Sequence, residues 1–158
     1  MIKRKNFNIT LKDEKELENN FMAALDENRH TINGKIYSQR DKATTVRSVY
    51  LFGKKHRPDL TINEDGIAIE LKFLNSTRDG LKQALGQSMF YRVRYRFVVN
   101  LFVVDQKHKS VYLGAAEDKE RDLEEILKDL AADMNIFSYI VPNFLPGSNV
   151  KSLIEWNG

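Results

Sequence analysis

Hydrophobic and polar positions along this chain change period several times, and each change marks an element boundary. Phe7, Ile9 and Leu11 alternate with polar residues and predict a short strand. Leu17, Phe21, Ala24 and Leu25 recur at helical spacing and predict a helix to about Asn28, capped by Thr10 or Asp13. Asn33-Gly34 marks a turn, and the polar, basic stretch from Tyr37 to Thr45 reads as a loop or an exposed hairpin. Val46 to Phe52 is β-branched and aromatic, hence a strand. Asp59 to Ile62 and Ile67 to Phe73 predict two strands around Asn63-Glu64-Asp65-Gly66, a hairpin signal. A helix follows, capped by Ser76 or Thr77, with Leu81, Leu85 and Met89 inward. Phe97 to Val104 is almost continuously apolar, which fits a strand covered on both faces. Ser110 to Ala115 predicts another strand and Phe137 to Val141 a late one. Between them lies an amphipathic helix, Glu117 to Met134, with Leu123, Ile126, Leu127 and Leu130 inward. The order βα, βββ, α, ββ, α, β predicts a mixed α/β domain, a central sheet flanked by helices.

Composition narrows the chemistry. The 158 residues, 42% hydrophobic and 30% charged, fit one globular domain spanning 1–158. No apolar stretch reaches the roughly 20 residues of a membrane span. The basic start has no signal-peptide core behind it, so the expected compartment is the cytoplasm. Without cysteine there is no disulfide scaffold, thiolate metal site or thiol catalysis. His30, His56 and His108 lie far apart, so a metal would be held by carboxylates. Net charge is +3, but Glu117 to Met134 holds eight acids against three bases. The rest of the chain is therefore basic, which points to a polyanionic partner.

The hairpin carries the candidate chemistry. Along Ile67 to Phe73, Glu70 and Lys72 share a face with Ala68, opposite Ile67, Ile69, Leu71 and Phe73. A two-residue turn at Asp65-Gly66 would put Asp59 opposite Lys72, whereas a four-residue loop, Asn63 to Gly66, would put it opposite Glu70. Both even lengths bring Asp59, Glu70 and Lys72 to one face, while an odd loop would turn the acids into the apolar set. Two such carboxylates repel unless a cation sits between them, and Mg²⁺ suits one or two protein carboxylates plus water and phosphate oxygen. Lys72 beside them would steer water and stabilise a developing oxyanion. The alternative is an Asp59–Lys72–Glu70 ion triad on a solvated sheet face.

Pro58-Asp59, ten intervening residues, and Glu70-Leu71-Lys72 together resemble the PD-(D/E)xK nuclease motif. That superfamily includes many restriction endonucleases, archaeal Holliday junction resolvases, and the RecB and lambda-exonuclease nucleases. The resemblance covers a core of about residues 13–104, with peripheral strands and the acidic helix in 105–158. It implies a restriction-endonuclease-like αβββαβ core and a Mg²⁺- or Mn²⁺-dependent deoxyribonuclease, an endonuclease before an exonuclease. By the resemblance, Asp59 and Glu70 hold the metal, Lys72 positions a water activated by it, and Glu18 on the first helix orients a water or a second ion. Glu18 has apolar residues three, four and seven positions on; Glu14 fits that pattern less well, with Glu18 at its fourth. Gln87 to Tyr91 is similar to the QxxxY motif of RecB-like nucleases, which gives Gln87 a supporting role. The bland reading of that segment is a surface glutamine and core aromatics.

The implied partner is DNA. Lys54, Lys55 and Arg57 lead directly into Asp59, and Arg40, Lys42 and Arg47 lie just upstream, all candidates for phosphate contacts. Arg92, Arg94 and Arg96 read instead as charges guarding the following apolar strand. Cutting both strands would call for a homodimer with one site per subunit. Two rival functions remain: a catalytically inactive nucleic-acid-binding or assembly module of the same fold, and an interaction protein using its acidic helix.

Overall fold

The computed structural model describes residues 11–39, 45–74, 79–104 and 121–142. Helix α1, Glu14–Glu27, starts where Asp13 accepts a hydrogen bond from Glu16 N–H at 2.8 Å. Glu16 in turn accepts from Lys12 N–H, so two orphan donors at the helix entry are satisfied reciprocally. Its apolar stripe, Leu17, Phe21, Ala24 and Leu25, is buried as the spacing predicts. After a 3₁₀ turn, Arg29–Thr31, come β1 (Ile36–Ser38), β2 (Val49–Leu51), β3 (Lys54–His56), β4 (Leu60–Ile62) and β5 (Ile67–Leu74). Helix α2 (Asp79–Tyr91), β6 (Phe97–Val104), α3 (Arg121–Met134) and β7 (Ile136–Pro142) complete the described chain.

The main sheet runs in the order β1-β4-β5-β6-β7. β1, β4 and β5 are antiparallel neighbours, whereas β5, β6 and β7 are parallel and joined through α2 and α3. The fold is mixed α/β. On one face, Leu17, Phe21 and Leu25 of α1 pack on Leu60, Ile69, Leu71, Leu101 and Val103. On the other, Leu81 and Ala84 of α2 and Leu127 of α3 pack on Leu74, Phe102, Val104 and Ile140. β6 sits between the two layers, which is why its sequence lacks alternation. Among the described residues no helix is long and apolar enough to cross a membrane.

Several expectations require correction. Tyr37 and Ser38, read as the start of a loop or an exposed hairpin, belong with Ile36 to an edge strand of the main sheet, in which Ile36 and Ser38 face inward beside β4. Val46 to Phe52 does not join that sheet: β2 pairs with β3 in a separate two-stranded hairpin, because β1 already occupies the edge of β4. Met89 is exposed, and the buried stripe of α2 is Leu81, Ala84, Ser88 and Tyr91. Ile126 is likewise exposed, its expected place being taken by Ala131. The strands at Phe7 to Leu11 and Ser110 to Ala115, the cap at Ser76 or Thr77, and the first turn of the acidic helix lie outside the described residues, Leu11 excepted. That residue is buried but precedes the helix without joining a strand. Without the β2–β3 hairpin, the chain order from α1 to β6 is αβββαβ.

The β4–β5 register is Leu60↔Ile69, Thr61↔Ala68 and Ile62↔Ile67, which leaves Asn63 to Gly66 as a four-residue loop. Asn63 takes the left-handed conformation, φ 61°, that asparagine tolerates, and is tied to Lys35 through N–H to Lys35 O at 2.7 Å. A Cβ on Gly66 would stand 2.5 Å from the backbone oxygen of Ile62. Gly66→Ala is therefore expected to cost about 1–3 kcal/mol in urea unfolding, since a backbone atom has to give way. A change within a few tenths would mean that the loop, and the register with it, is less tightly set than this contact implies.

Candidate active site

β4 begins at Leu60, and the next position outward in its register places Asp59 across from Glu70. Of the two even loop lengths, the four-residue loop is the one formed. Where the ladder ends, the Asp59 carboxylate takes over from a main-chain acceptor: Oδ2 accepts from Leu71 N–H at 2.8 Å. The residue before the strand is thereby locked to β5. Gln39, just after β1, adds a second clamp, donating from Nε2 to Arg57 O and Pro58 O, both at 2.8 Å, and from its N–H to Asp59 O.

Glu70 is only 5% exposed. It projects with Ala68 and Leu74 toward α2, where Tyr91 donates its hydroxyl proton to Glu70 Oε2 at 3.0 Å. Burial, then the charge of Asp59, pushes the Glu70 carboxyl up to about 8. Burial also raises Asp59 to about 6; Leu71 N–H opposes that shift, and the charges of Glu18 and Glu14 add to it. Lys72 lowers both. Burial and the neighbouring Glu70 charge hold the Tyr91 phenol well above its ordinary range. Tyr91 is thus a proton donor to Glu70 across all working pH values.

Glu14, at the start of α1, binds Lys72 Nζ through Oε1 at 3.2 Å and lies 3.5 Å from Phe73 N–H through Oε2. The residue that the apolar offsets ranked second thus makes the direct contact, while Glu18, one turn on, acts on Asp59 through its charge. Both acids border the site because helix α1 crosses the end of β5. Tyr91 was also missed as a site residue. Its four-residue spacing from Gln87 was the available signal, but a buried tyrosine alone reads as core.

A pocket of about 280 Å³ is lined by Gln39, Lys55, His56, Arg57 and Gln87, of which Gln39 is the residue hydrogen-bonded to the Asp59 carbonyl. Of the bases expected to contact phosphate, Lys55 and Arg57 line this pocket, and His56, which was given no role of its own, lies between them. Lys54 is exposed on the hairpin outside the pocket lining. Arg47 is not brought to the site. Its guanidinium is paired with Glu64 and Asp65 at the far end of the β4–β5 hairpin, where the loop acids draw it. Arg92 donates to the carbonyls of Tyr95 and Met134, Arg94 lies 3.9 Å from Asp65, and Arg96 stacks over Phe97, so these three brace the α2–β6 connection. Arg40 and Lys42 lie outside the described residues.

Among the described residues no group of three or more histidine, aspartate or glutamate side chains is arranged to hold a metal ion. Two opposed carboxylates do fit one: both are pushed up by burial and, for Glu70, by the other's charge, and a divalent cation would relieve both costs. Compared with known protein families, with curated proteins and with solved structures, the chain has no significant match to any of them.

The raised carboxyls have a measurable consequence. Between about pH 4.5 and 8 the folded protein keeps a proton on Glu70 that the unfolded chain has released, so stability falls as pH rises through that window. Glu70→Gln keeps an acceptor for Tyr91 and removes the titration. It is expected to be more stable than wild type by roughly 1–3 kcal/mol at pH 8, with the difference shrinking toward pH 5. Added Mg²⁺ or Mn²⁺ at pH 8 should raise the Tm of wild type and leave that of Glu70→Gln unchanged. Parallel pH profiles for the two proteins would refute the burial of a strained carboxylate.

Proposed function

We propose that the chain is a Mg²⁺- or Mn²⁺-dependent nuclease that hydrolyses phosphodiester bonds of DNA. The observation that carries the reading is the opposition of Asp59 and Glu70, two carboxylates raised to about 6 and 8, beside Lys72 and a basic pocket. Asp59 and Glu70 would hold the cation, which when bound shields phosphate charge and makes water a better nucleophile near neutral pH. Lys55 and Arg57 draw the DNA backbone toward Asp59. Lys72, steadied by Glu14, presents its Nζ to the water or to the phosphate oxygen on which charge builds. Tyr91 fixes the Glu70 carboxylate so that one oxygen stays turned to the site. Glu18 and Glu14 supply the negative field that favours a cation and can accept the proton of the attacking water. Gln87 supports the pocket wall. Cutting a duplex on both strands would require a second copy of the chain.

One observation favours a second reading, a nucleic-acid-binding module without catalysis: the Lys72–Glu14 pair already satisfies the lysine. Incubating plasmid, linear and single-stranded DNA with Mg²⁺, Mn²⁺ or EDTA separates the two. The nuclease reading expects metal-dependent cutting, abolished by Asp59→Ala and by Glu70→Ala in protein that stays folded by circular dichroism. Lys72→Ala, which removes one donor, should lower kcat roughly 100- to 1,000-fold. Binding without cutting under every metal condition would leave the module reading, and full activity in either alanine variant would remove the assigned roles.

A further inference from the structure

The β2–β3 hairpin stands apart from the main sheet and carries the most exposed aromatic among the described residues, Phe52, at 82% exposure. Its position is unusual. Phe52 and Gly53 form a two-residue turn with φ of 52° and 69°, a conformation in which asparagine or glycine is favoured at the first place. An aromatic side chain there is both strained in its backbone and open to solvent. Its ring is not free to collapse, because it meets Phe90 of α2 edge-on at 5.6 Å, and Phe90 in turn meets His56 at 4.9 Å. Tyr50 on the same hairpin is 71% exposed, with Lys55 Nζ 6.0 Å from its ring centre. His56 then leads into the pocket it lines with Gln39, Lys55, Arg57 and Gln87; the side-chain oxygen of Gln87, Oε1, is buried without a hydrogen-bond partner.

We propose that this hairpin receives an unpaired strand, so that the substrate class is nucleic acid with a single-stranded segment. An aromatic ring stacks on a base only when the face of that base is free, which duplex stacking denies. The Gln87 amide oxygen is an acceptor suited to the N–H groups of a base edge, and those on the pairing edge are free only when the base is unpaired. Lys55 and Arg57 neutralise the flanking phosphates, and the main chain runs on from Arg57 through Pro58 to Asp59. The inference rests on the nuclease reading only for where the strand is led; the recognition itself needs no cleavage.

The test is therefore a binding measurement in EDTA, with the full chain and a fluorescent oligonucleotide offered as a single strand, a blunt duplex or a duplex with a single-stranded tail. Wild type should bind the single strand and the tailed duplex more tightly than the blunt one. Phe52→Ala should weaken binding to the first two about 5- to 100-fold and leave the blunt duplex nearly unchanged, while Phe52→Trp should retain affinity. Phe52→Asn gives the turn its favoured residue, so it should melt no lower than wild type and still lose single-strand affinity. Unaltered single-strand binding by folded Phe52→Asn, or tighter wild-type binding to the blunt duplex, would overturn the inference and leave the nuclease reading standing. Absence of metal-dependent cutting, with the Phe52 effects intact, would overturn only the nuclease reading. Failure of wild type to bind any of the three would overturn the inference alone, since the nuclease reading is decided by cutting in the presence of metal.

Discussion

A glutamate placed in the body of a sheet is costly unless its surroundings answer for it, and most of this structure is arranged around Glu70. Its burial at 5% exposure, with the charge of Asp59 beside it, pushes its carboxyl up to about 8 against the pull of a donor and a cation in reach. Tyr91 supplies the donor from α2, Lys72 the nearby positive charge from two residues along β5, and Asp59 sits across the strand pair. Each of these depends on a different element, so the site exists only when α2, β4 and β5 are docked together.

The polar character of that row continues inward. In the parallel register Glu70 is followed by Asn100 on β6 and Ser138 on β7, so three polar side chains line up across three strands. Asn100 is fully buried and donates from Nδ2 to Ser138 Oγ at 3.1 Å. Ser88 of α2 lies 2.7 Å from both Asn100 Oδ1 and Ala84 O, with one proton to give between them. A connected row of this kind costs little when complete and much when broken, so it fixes how α2 sits on the sheet. Since Tyr91 lies one turn beyond Ser88, the row also fixes the phenol that holds Glu70.

Charge is distributed to match. The bases that are paired, Arg47 with Glu64 and Asp65 and Arg92 with carbonyls, are those that brace loops. Lys55 and Arg57 instead line the pocket on the approach to Asp59, while the acid-rich α3 packs on β7 beyond β6 and contributes nothing to that approach.

The local periodicities were legible in the chain itself. The stripe of α1, a cap at one of two positions that included Asp13, the even-length loop at Asn63 to Gly66 and the almost continuous apolar run of β6 all follow from spacing. So does the alternation that puts Glu70 and Lys72 on one face of β5. These rules act between residues close in sequence, where helix and strand geometry leave few choices. Which even loop formed was not legible, because both lengths satisfy the same alternation; only the packed pair put Asp59 opposite Glu70. Nor was the choice of Glu14 as the partner of Lys72, since 58 residues separate them and the crossing of α1 over the end of β5 sets their distance. The edge strand Ile36–Ser38 and the separate β2–β3 hairpin were missed for the same reason. Short strands carry little pattern, and which of them wins the free edge of β4 is decided by competition within the assembled sheet.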